Sequence, residues 1–138
     1  MSWVIYGLLS ALFASLVAIF GKLGISGIDT TLATTLRSII MAAFLVVVAL
    51  ATNRLHGLDT ITTRTWWYIG AAGIAGALSW LCYFFALKNG PASSVAALDR
   101  LSVVFVVILA ALFISEKLTL YKLLGSALVV VGAILISL

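Results

Sequence analysis

The sequence predicts an all-α integral membrane protein with five transmembrane helices and no soluble domain. Hydrophobic residues make up 64% of its 138 residues, charged residues make up 9%, and the mean hydropathy is +1.31. A soluble domain carries about 25% charged residues, so this chain lacks the polar groups to cover an aqueous surface. One helical span uses about 20 apolar residues, and five spans therefore leave only short turns between them.

The sequence predicts a single transmembrane domain over residues 1–138, and its apolar runs predict five spans within that domain. We place these spans at 3–22, 30–51, 65–87, 91–114 and 120–138. Trp3 begins the first span, and Trp66 and Trp67 begin the third, as expected of rings at the membrane–water interface. The first run lacks a basic leader and a cleavage site, so we expect it to be a span and not a removed signal peptide.

Two of the turns carry recognisable signals. Asn89-Gly90-Pro91 separates the third and fourth spans. We expect Gly90 to end the third helix in the left-handed conformation and Pro91 to occupy the first turn of the fourth. Thr119 is the predicted N-cap of the fifth helix.

The basic residues outside the spans give a weak orientation signal. With a cytoplasmic N-terminus, four lie inside and two outside: Arg54, Arg64, Lys117 and Lys122 against Lys22 and Lys88. This bias favours an inside N-terminus, and it is small enough for both orientations to insert. We expect Lys22 and Lys88, at span ends, to extend to the headgroups.

Small residues recur at helix-contact spacing in two spans. Gly70, Gly73 and Gly76 line one side of the third, and Gly125 and Gly132 lie seven apart in the fifth. Small residues let helix backbones approach closely in a bilayer. Packing within one subunit and packing between subunits both explain them.

The chain offers no recognisable enzyme site. It has no paired carboxylates, no Ser/His/Asp set, no phosphate loop and no metal-ligand spacing, and its single Cys82 excludes an internal disulfide. The net charge of +4 comes mainly from basic residues at span ends, which does not indicate nucleic-acid binding. We therefore expect no catalysis, no cofactor and no metal.

Three ionisable residues within the spans are the strongest functional candidates. Arg37 lies in the second span, and Asp99 and Arg100 lie in the fourth. A charge at membrane depth costs about 2.5–3.5 kcal/mol, so such groups face an interior or a water-filled cavity. Asp99 either pairs with Arg37 or Arg100 to hold helices in register, or it helps to bind substrate or a coupling proton.

An aromatic stripe on the third span adds two further candidates. Trp80, Tyr83 and Phe84 are three to four residues apart and share one helix face. Their rings either line a cavity for an organic ligand or pack between helices. We include Trp80 and Tyr83 among the candidate substrate-binding residues.

Residues 83–93 read YFFALKNGPAS, and Glu116-Lys117-Leu118, Gly125 and Gly132 follow further along the chain. In these motifs, their order and their spacing, the second half of the chain resembles the EamA family of the drug/metabolite transporter superfamily. The first two spans agree more loosely, through Lys22 and Leu36-Arg37. The chain departs from the family at Val103, where a proline is usual, and that absence predicts a fourth span without a kink. It also departs at Asp99-Arg100, where small or apolar residues are expected.

The resemblance implies one five-span repeat of a carrier that usually contains two. Inverted repeats place a substrate site between them near the midplane. We therefore expect an antiparallel homodimer, or a pair with a second five-span subunit, in an inner membrane. Its function would be secondary active export of small organic metabolites or drugs by alternating access, with Arg37, Trp80, Tyr83, Asp99 and Arg100 at the cavity.

Three other functions are compatible with parts of the sequence. A small multidrug exporter is disfavoured because it carries an essential carboxylate in the first of four spans, where this chain has no Asp or Glu. A non-transporting scaffold subunit would use its charges only to set helix register. A lipid-linked sugar flippase half is the third alternative.

Overall fold

The protein is built from helices, as predicted. A computed structural model describes residues 2–138, apart from the side chains of residues 2 and 59. Its helices are α1 (Ser2–Gly24), α2 (Thr30–Ala51), α3 (Thr63–Asn89), α4 (Ala92–Asp99), α5 (Ser102–Phe113) and α6 (Leu120–Ser137). A 3-10 helix, Leu55–Thr60, lies between α2 and α3, and residues 2–138 contain no strand. The predicted all-α class is therefore confirmed.

Five segments are long and apolar enough to cross a membrane. They are Trp3–Gly24, Thr30–Ala51, Thr63–Asn89, Ala92–Phe113 and Leu120–Ser137. Each begins and ends within two residues of the corresponding span expected from the sequence. In a helix every interior backbone group is hydrogen-bonded within its own segment, which is the condition for spanning lipid.

The fourth span is interrupted, which the sequence analysis did not expect. α4 ends at Asp99 and α5 begins at Ser102. Across this break the N–H of Leu101 donates to the Leu98 carbonyl at 3.0 Å, and that of Val104 donates to the Leu101 carbonyl at 2.9 Å. These i to i−3 bonds tighten the chain locally into a 3-10-like turn. The fourth span is therefore not continuous although Val103 stands in place of the usual proline, and the break directly follows Asp99.

The turn between α3 and α4 forms where predicted but with different geometry. Pro91 is the N-cap of α4, one residue before the helix, and its carbonyl accepts from the Val95 N–H at 3.0 Å. Among the described glycines, the positive φ belongs to Gly27, at 86°, so the left-handed conformation predicted for Gly90 was wrong. The predicted cap at Thr119 is confirmed, since its side chain accepts from the Lys122 N–H.

Two non-glycine residues adopt the left-handed conformation instead. Asn53, with φ of 54°, follows α2, and the Arg54 N–H donates back to the Ala49 carbonyl at 2.9 Å. Ser115, with φ of 57°, follows α5, and the Glu116 N–H donates to the Ala110 carbonyl at 3.1 Å. Such turns supply hydrogen-bond donors for carbonyls at the helix end.

The chain divides into two compact units. The first combines α1 up to Leu23 with Asn89–Leu138, and the second is Gly24–Lys88. In the first unit α6 packs against α4 and α5, and the Ser94 hydroxyl donates to the Ile136 carbonyl at 3.2 Å. The Nζ of Lys22 donates to the Gly90 carbonyl, in the turn between α3 and α4, at 2.8 Å. Extension of Lys22 to the headgroups stays a prediction.

The glycines of both stripes have room for a side chain. A Cβ added at Gly70, Gly73, Gly76, Gly125 or Gly132 would meet no atom within 4 Å. Gly76 and Gly132 are half-buried, and packing within one subunit and packing between subunits both stay predictions. Each stripe leaves a smooth helix surface on which another helix can approach closely.

Candidate functional site

The guanidinium of Arg37 stacks on an aromatic cluster of α3. Its central carbon lies 3.7 Å from the centroid of the Trp80 ring and 5.9 Å from that of Phe84. Tyr83 meets Trp80 edge to face, with centroids 5.4 Å apart and planes at 76°. Phe84 is buried, and Arg37, Trp80 and Tyr83 are half-buried. An arginine on a partly desolvated tryptophan gains about 1–2 kcal/mol from the ring quadrupole.

One nitrogen of the Arg37 guanidinium is buried without a hydrogen-bond partner among the described residues. Its Nη1 atom is buried, and it donates no hydrogen bond to any residue within the described chain. A guanidinium has five N–H donors, all in its plane, so a ring against its face satisfies none of them. A buried donor without an acceptor is costly, more so when it is charged.

A groove of about 380 Å³ runs between α2 and α3, in the same unit as this cluster. It is lined by Thr31, Thr34, Thr35, Ser38, Ile39 and Ala42 of α2 and by Ala77 and Leu81 of α3. Its volume lies in the range of about 300–1,000 Å³ typical of small-molecule pockets. Arg37, Trp80, Tyr83 and Phe84 are not among its lining residues.

The polar wall of the groove accepts hydrogen bonds. The hydroxyls of Thr34, Thr35 and Ser38 donate to the carbonyls four residues earlier, at 2.7, 2.8 and 2.8 Å. Each proton is thereby used within α2, and the oxygen lone pairs remain available as acceptors. The groove thus offers hydrogen-bond acceptors along α2.

Asp29 stands at the start of the same helix, outside the span. It is exposed, and its carboxylate accepts from the Leu32 N–H at 3.0 Å, which caps α2. This backbone hydrogen bond, with a smaller contribution from the positive charge of Lys88, holds the pKa of Asp29 below its ordinary value of 3.8. The carboxylate is therefore ionised at neutral pH and stabilises the positive end of the helix dipole.

Asp99 and Arg100 lie at the interruption of the fourth span, in the other unit. Both side chains are exposed. Among the side chains that the structure describes, the ion pair that forms joins Lys122 to Glu116, and Asp99 and Arg100 do not pair with each other. A pair of Asp99 with Arg100, one of the two pairs expected to hold helices in register, is therefore not seen, and the pair with Arg37 stays a prediction.

The structure brings three of the five predicted site residues together. Arg37, Trp80 and Tyr83 form one cluster in the second unit, and Asp99 and Arg100 mark the helix break in the first. Sequence reasoning missed the hydroxyl-lined groove. Its signal was present, because threonine and serine at positions 31, 34, 35 and 38 repeat at helical spacing along one face of α2.

Comparison with known proteins agrees with the membrane architecture. The model of the EamA-like transporter family matches residues 1–138. A Sinorhizobium protein named "Uncharacterized transporter in cobO 3'region" is 41% identical over 136 residues, which cover 99% of this chain and 96% of that protein. No solved structure matches the chain.

Proposed function

This chain belongs to the EamA-like transporter family, and we propose that it is a secondary active exporter of small organic metabolites or drugs. Family and relative make it a multi-pass membrane transporter of the drug/metabolite superfamily. What we propose beyond family membership is the direction of transport, the type of substrate and the mechanism. We propose that it works by alternating access between two five-span units in an inner membrane.

The exposed charges of the fourth span are the observation that supports a dimer. α4 has eight residues, so Asp99 lies about 10 Å along the span at 1.5 Å per residue. At that depth a charge facing lipid costs about 2.5–3.5 kcal/mol by insertion scales. Asp99 and Arg100 are both exposed in the single chain. A second five-span unit around a water-filled hollow would keep both groups out of lipid.

The helix break supports alternating access. Carriers often build their sites from discontinuous spanning helices whose irregular backbone lines a cavity. The interruption between Asp99 and Ser102 gives the fourth span such a segment, and i to i−3 bonds replace part of the α-helical ladder there. An antiparallel homodimer is our preferred assembly, because two five-span units of opposite orientation rebuild the inverted repeat. Pairing with a second five-span protein is the alternative.

An uptake experiment tests the proposed function without a known substrate. Inside-out vesicles from cells that express the chain are energised with a proton gradient and given a bacterial metabolite extract. Mass spectrometry then compares their contents with those of vesicles carrying Asp99→Leu/Arg100→Leu, matched for protein amount. We expect at least one organic compound to accumulate severalfold in the wild-type vesicles alone. Identical contents would favour the non-transporting scaffold subunit and overturn the carrier proposal.

A further inference from the structure

The segment that connects α2 to α3 exposes an apolar face. We call residues 54–68 the connecting segment, and it contains the 3-10 helix Leu55–Thr60. A 3-10 helix has three residues per turn, so Leu55 and Leu58 lie one above the other on the same face. Their side chains are 39% and 51% exposed. Much of this apolar face is therefore open to the surroundings of the chain.

Aromatic residues place the connecting segment at the membrane–water interface. Trp66, Trp67 and Tyr68 lie in the first two turns of α3, and all three side chains are exposed. Such amphipathic rings are enriched at the level of the lipid headgroups. The 3-10 helix directly precedes them in the chain. Its apolar face therefore meets the boundary between headgroups and acyl chains, where exposed leucines are favoured.

Two arginines flank this apolar face along the chain. Arg54 immediately precedes the 3-10 helix, and Arg64 lies in the first turn of α3. Both side chains are exposed, and neither forms an ion pair with any side chain that the structure describes. Arg64 donates a hydrogen bond to the Tyr68 hydroxyl at 3.4 Å. A guanidinium has five N–H donors, so this bond leaves donors available for a second partner.

The charges of the connecting segment favour an anionic lipid. Arg54, Asp59 and Arg64 give it a net charge of +1 with neutral His56. The phosphate of a zwitterionic lipid is accompanied by the lipid's own ammonium group, whereas the phosphate of phosphatidylglycerol has no such counter-charge. Guanidinium groups bind phosphates with charge-assisted hydrogen bonds, and basic residues beside a membrane attract anionic headgroups.

We propose that the connecting segment is a binding surface for anionic phospholipids. Leu55 and Leu58 enter the boundary of the acyl chains, and Arg54 and Arg64 each bind a headgroup phosphate. The aliphatic stems of the two arginines can lie along apolar surface while their charged ends reach the phosphates. This inference goes beyond the proposed function, because it concerns the lipid around the chain and not the transported compound.

Thermal unfolding of the purified full chain in a nonionic detergent tests the proposal. Dioleoyl phosphatidylglycerol and dioleoyl phosphatidylcholine, which have the same acyl chains, are titrated separately. We expect phosphatidylglycerol to raise the unfolding midpoint in a saturable way, with an apparent affinity at least tenfold above that of phosphatidylcholine. Inorganic phosphate, which has no acyl chains, should have no effect. Equal responses to the two lipids, or an equal response to phosphate, would overturn the proposal.

Variants of the arginines assign the lipid preference to the connecting segment. Arg54→Gln and Arg64→Gln should each weaken the apparent affinity for phosphatidylglycerol about fivefold, and the double variant should weaken it about 25-fold. Lys88→Gln is the matched control, because it removes one exposed positive charge from the other end of α3. It should change the affinity less than twofold. A loss as large as that of Arg54→Gln would show an effect of net charge alone and overturn the assignment.

A variant of the leucines tests the apolar part of the surface. Leu55→Ser/Leu58→Ser should weaken the apparent affinity for both lipids severalfold and leave the preference for phosphatidylglycerol in place. Unchanged affinities would contradict the insertion of these side chains into the acyl-chain boundary. The comparison of the two lipids uses wild-type protein, so it remains decisive even if a variant does not fold.

Discussion

The Nζ of Lys22, in the first span, donates a hydrogen bond to the carbonyl of Gly90, in the turn between α3 and α4. The two atoms are 2.8 Å apart although the residues are 68 positions apart in the chain. The contact joins the N-terminal helix to the C-terminal half of the first unit, and it satisfies a charge that would otherwise need water or lipid headgroups. It explains why a lysine ends an otherwise apolar helix.

Removing this bond should destabilise the protein. A hydrogen bond from a charged donor is worth about 1.5–3 kcal/mol, so Lys22→Met is expected to lower the free energy of unfolding by about 1.5 kcal/mol. Denaturation followed by tryptophan fluorescence in detergent measures the change. Lys117→Met, at an exposed position between α5 and α6, is the control and should change stability little. Equal stability of Lys22→Met and wild type would show that the contact contributes nothing.

The left-handed residue after α5 offers a stabilising substitution. Ser115 has φ of 57°, a conformation that costs an L-residue with a Cβ roughly 1 kcal/mol relative to glycine. Ser115→Gly should therefore raise the free energy of unfolding by up to about 1 kcal/mol. The matched control is Ser126→Gly inside α6, which should lower it by a similar amount because glycine weakens a helix interior. A loss of stability in Ser115→Gly would contradict the described turn.

The cap of α2 should make stability depend on pH. The backbone hydrogen bond from Leu32 lowers the pKa of Asp29 in the folded protein below 3.8. A carboxylate with a lowered folded pKa contributes stability above its unfolded pKa, and the contribution is lost as pH falls through the folded pKa. Wild type should therefore exceed Asp29→Asn in unfolding midpoint at pH 7, and the difference should shrink below about pH 4. Midpoints measured at both pH values test this, and a difference that grew on acidification would contradict it.

Asp99 is the expected carrier of a coupling proton. It is the one acidic residue well inside a span, and it is exposed at a helix break with no ion pair to Arg100. Asp99→Asn should abolish proton-driven accumulation in liposomes while exchange of substrate down its own gradient continues. Arg100→Gln should not separate the two activities in this way. Normal proton-driven accumulation by Asp99→Asn would rule out this role.

The fold was predictable because the bilayer imposes it. Five apolar runs of spanning length, interfacial tryptophans and the Asn89-Gly90-Pro91 turn marked the helices, and Thr119 marked the start of α6. The break in the fourth span was not predicted. Proline is a usual cause of helix kinks, and this interruption occurs at Asp99-Arg100 without a proline. Local backbone geometry at Gly90 and Pro91 depends on how the two helices meet, which spacing alone does not encode.

Only part of the candidate site could be predicted from the sequence. Ionisable residues at membrane depth are conspicuous in the sequence, and Arg37 and Trp80 proved to be in contact. Which partner an arginine takes depends on three-dimensional neighbours, so the stacking on Trp80 was not foreseen. Threonine and serine are common in spanning helices, where they bond back to the helix carbonyls. Their repeat along α2 therefore does not by itself predict the groove that it lines.

The central claim is that two five-span units of opposite orientation cover the charges of the fourth span. The most direct test of this claim places a tag at one terminus of the full chain. An impermeant reagent is then applied to each side of the membrane in turn, and labelling of the tag is measured. We predict labelling from both sides, in comparable amounts, in intact cells and in inside-out vesicles. If the tag is labelled from one side alone, and the chain purifies without a partner protein, the antiparallel assembly is contradicted.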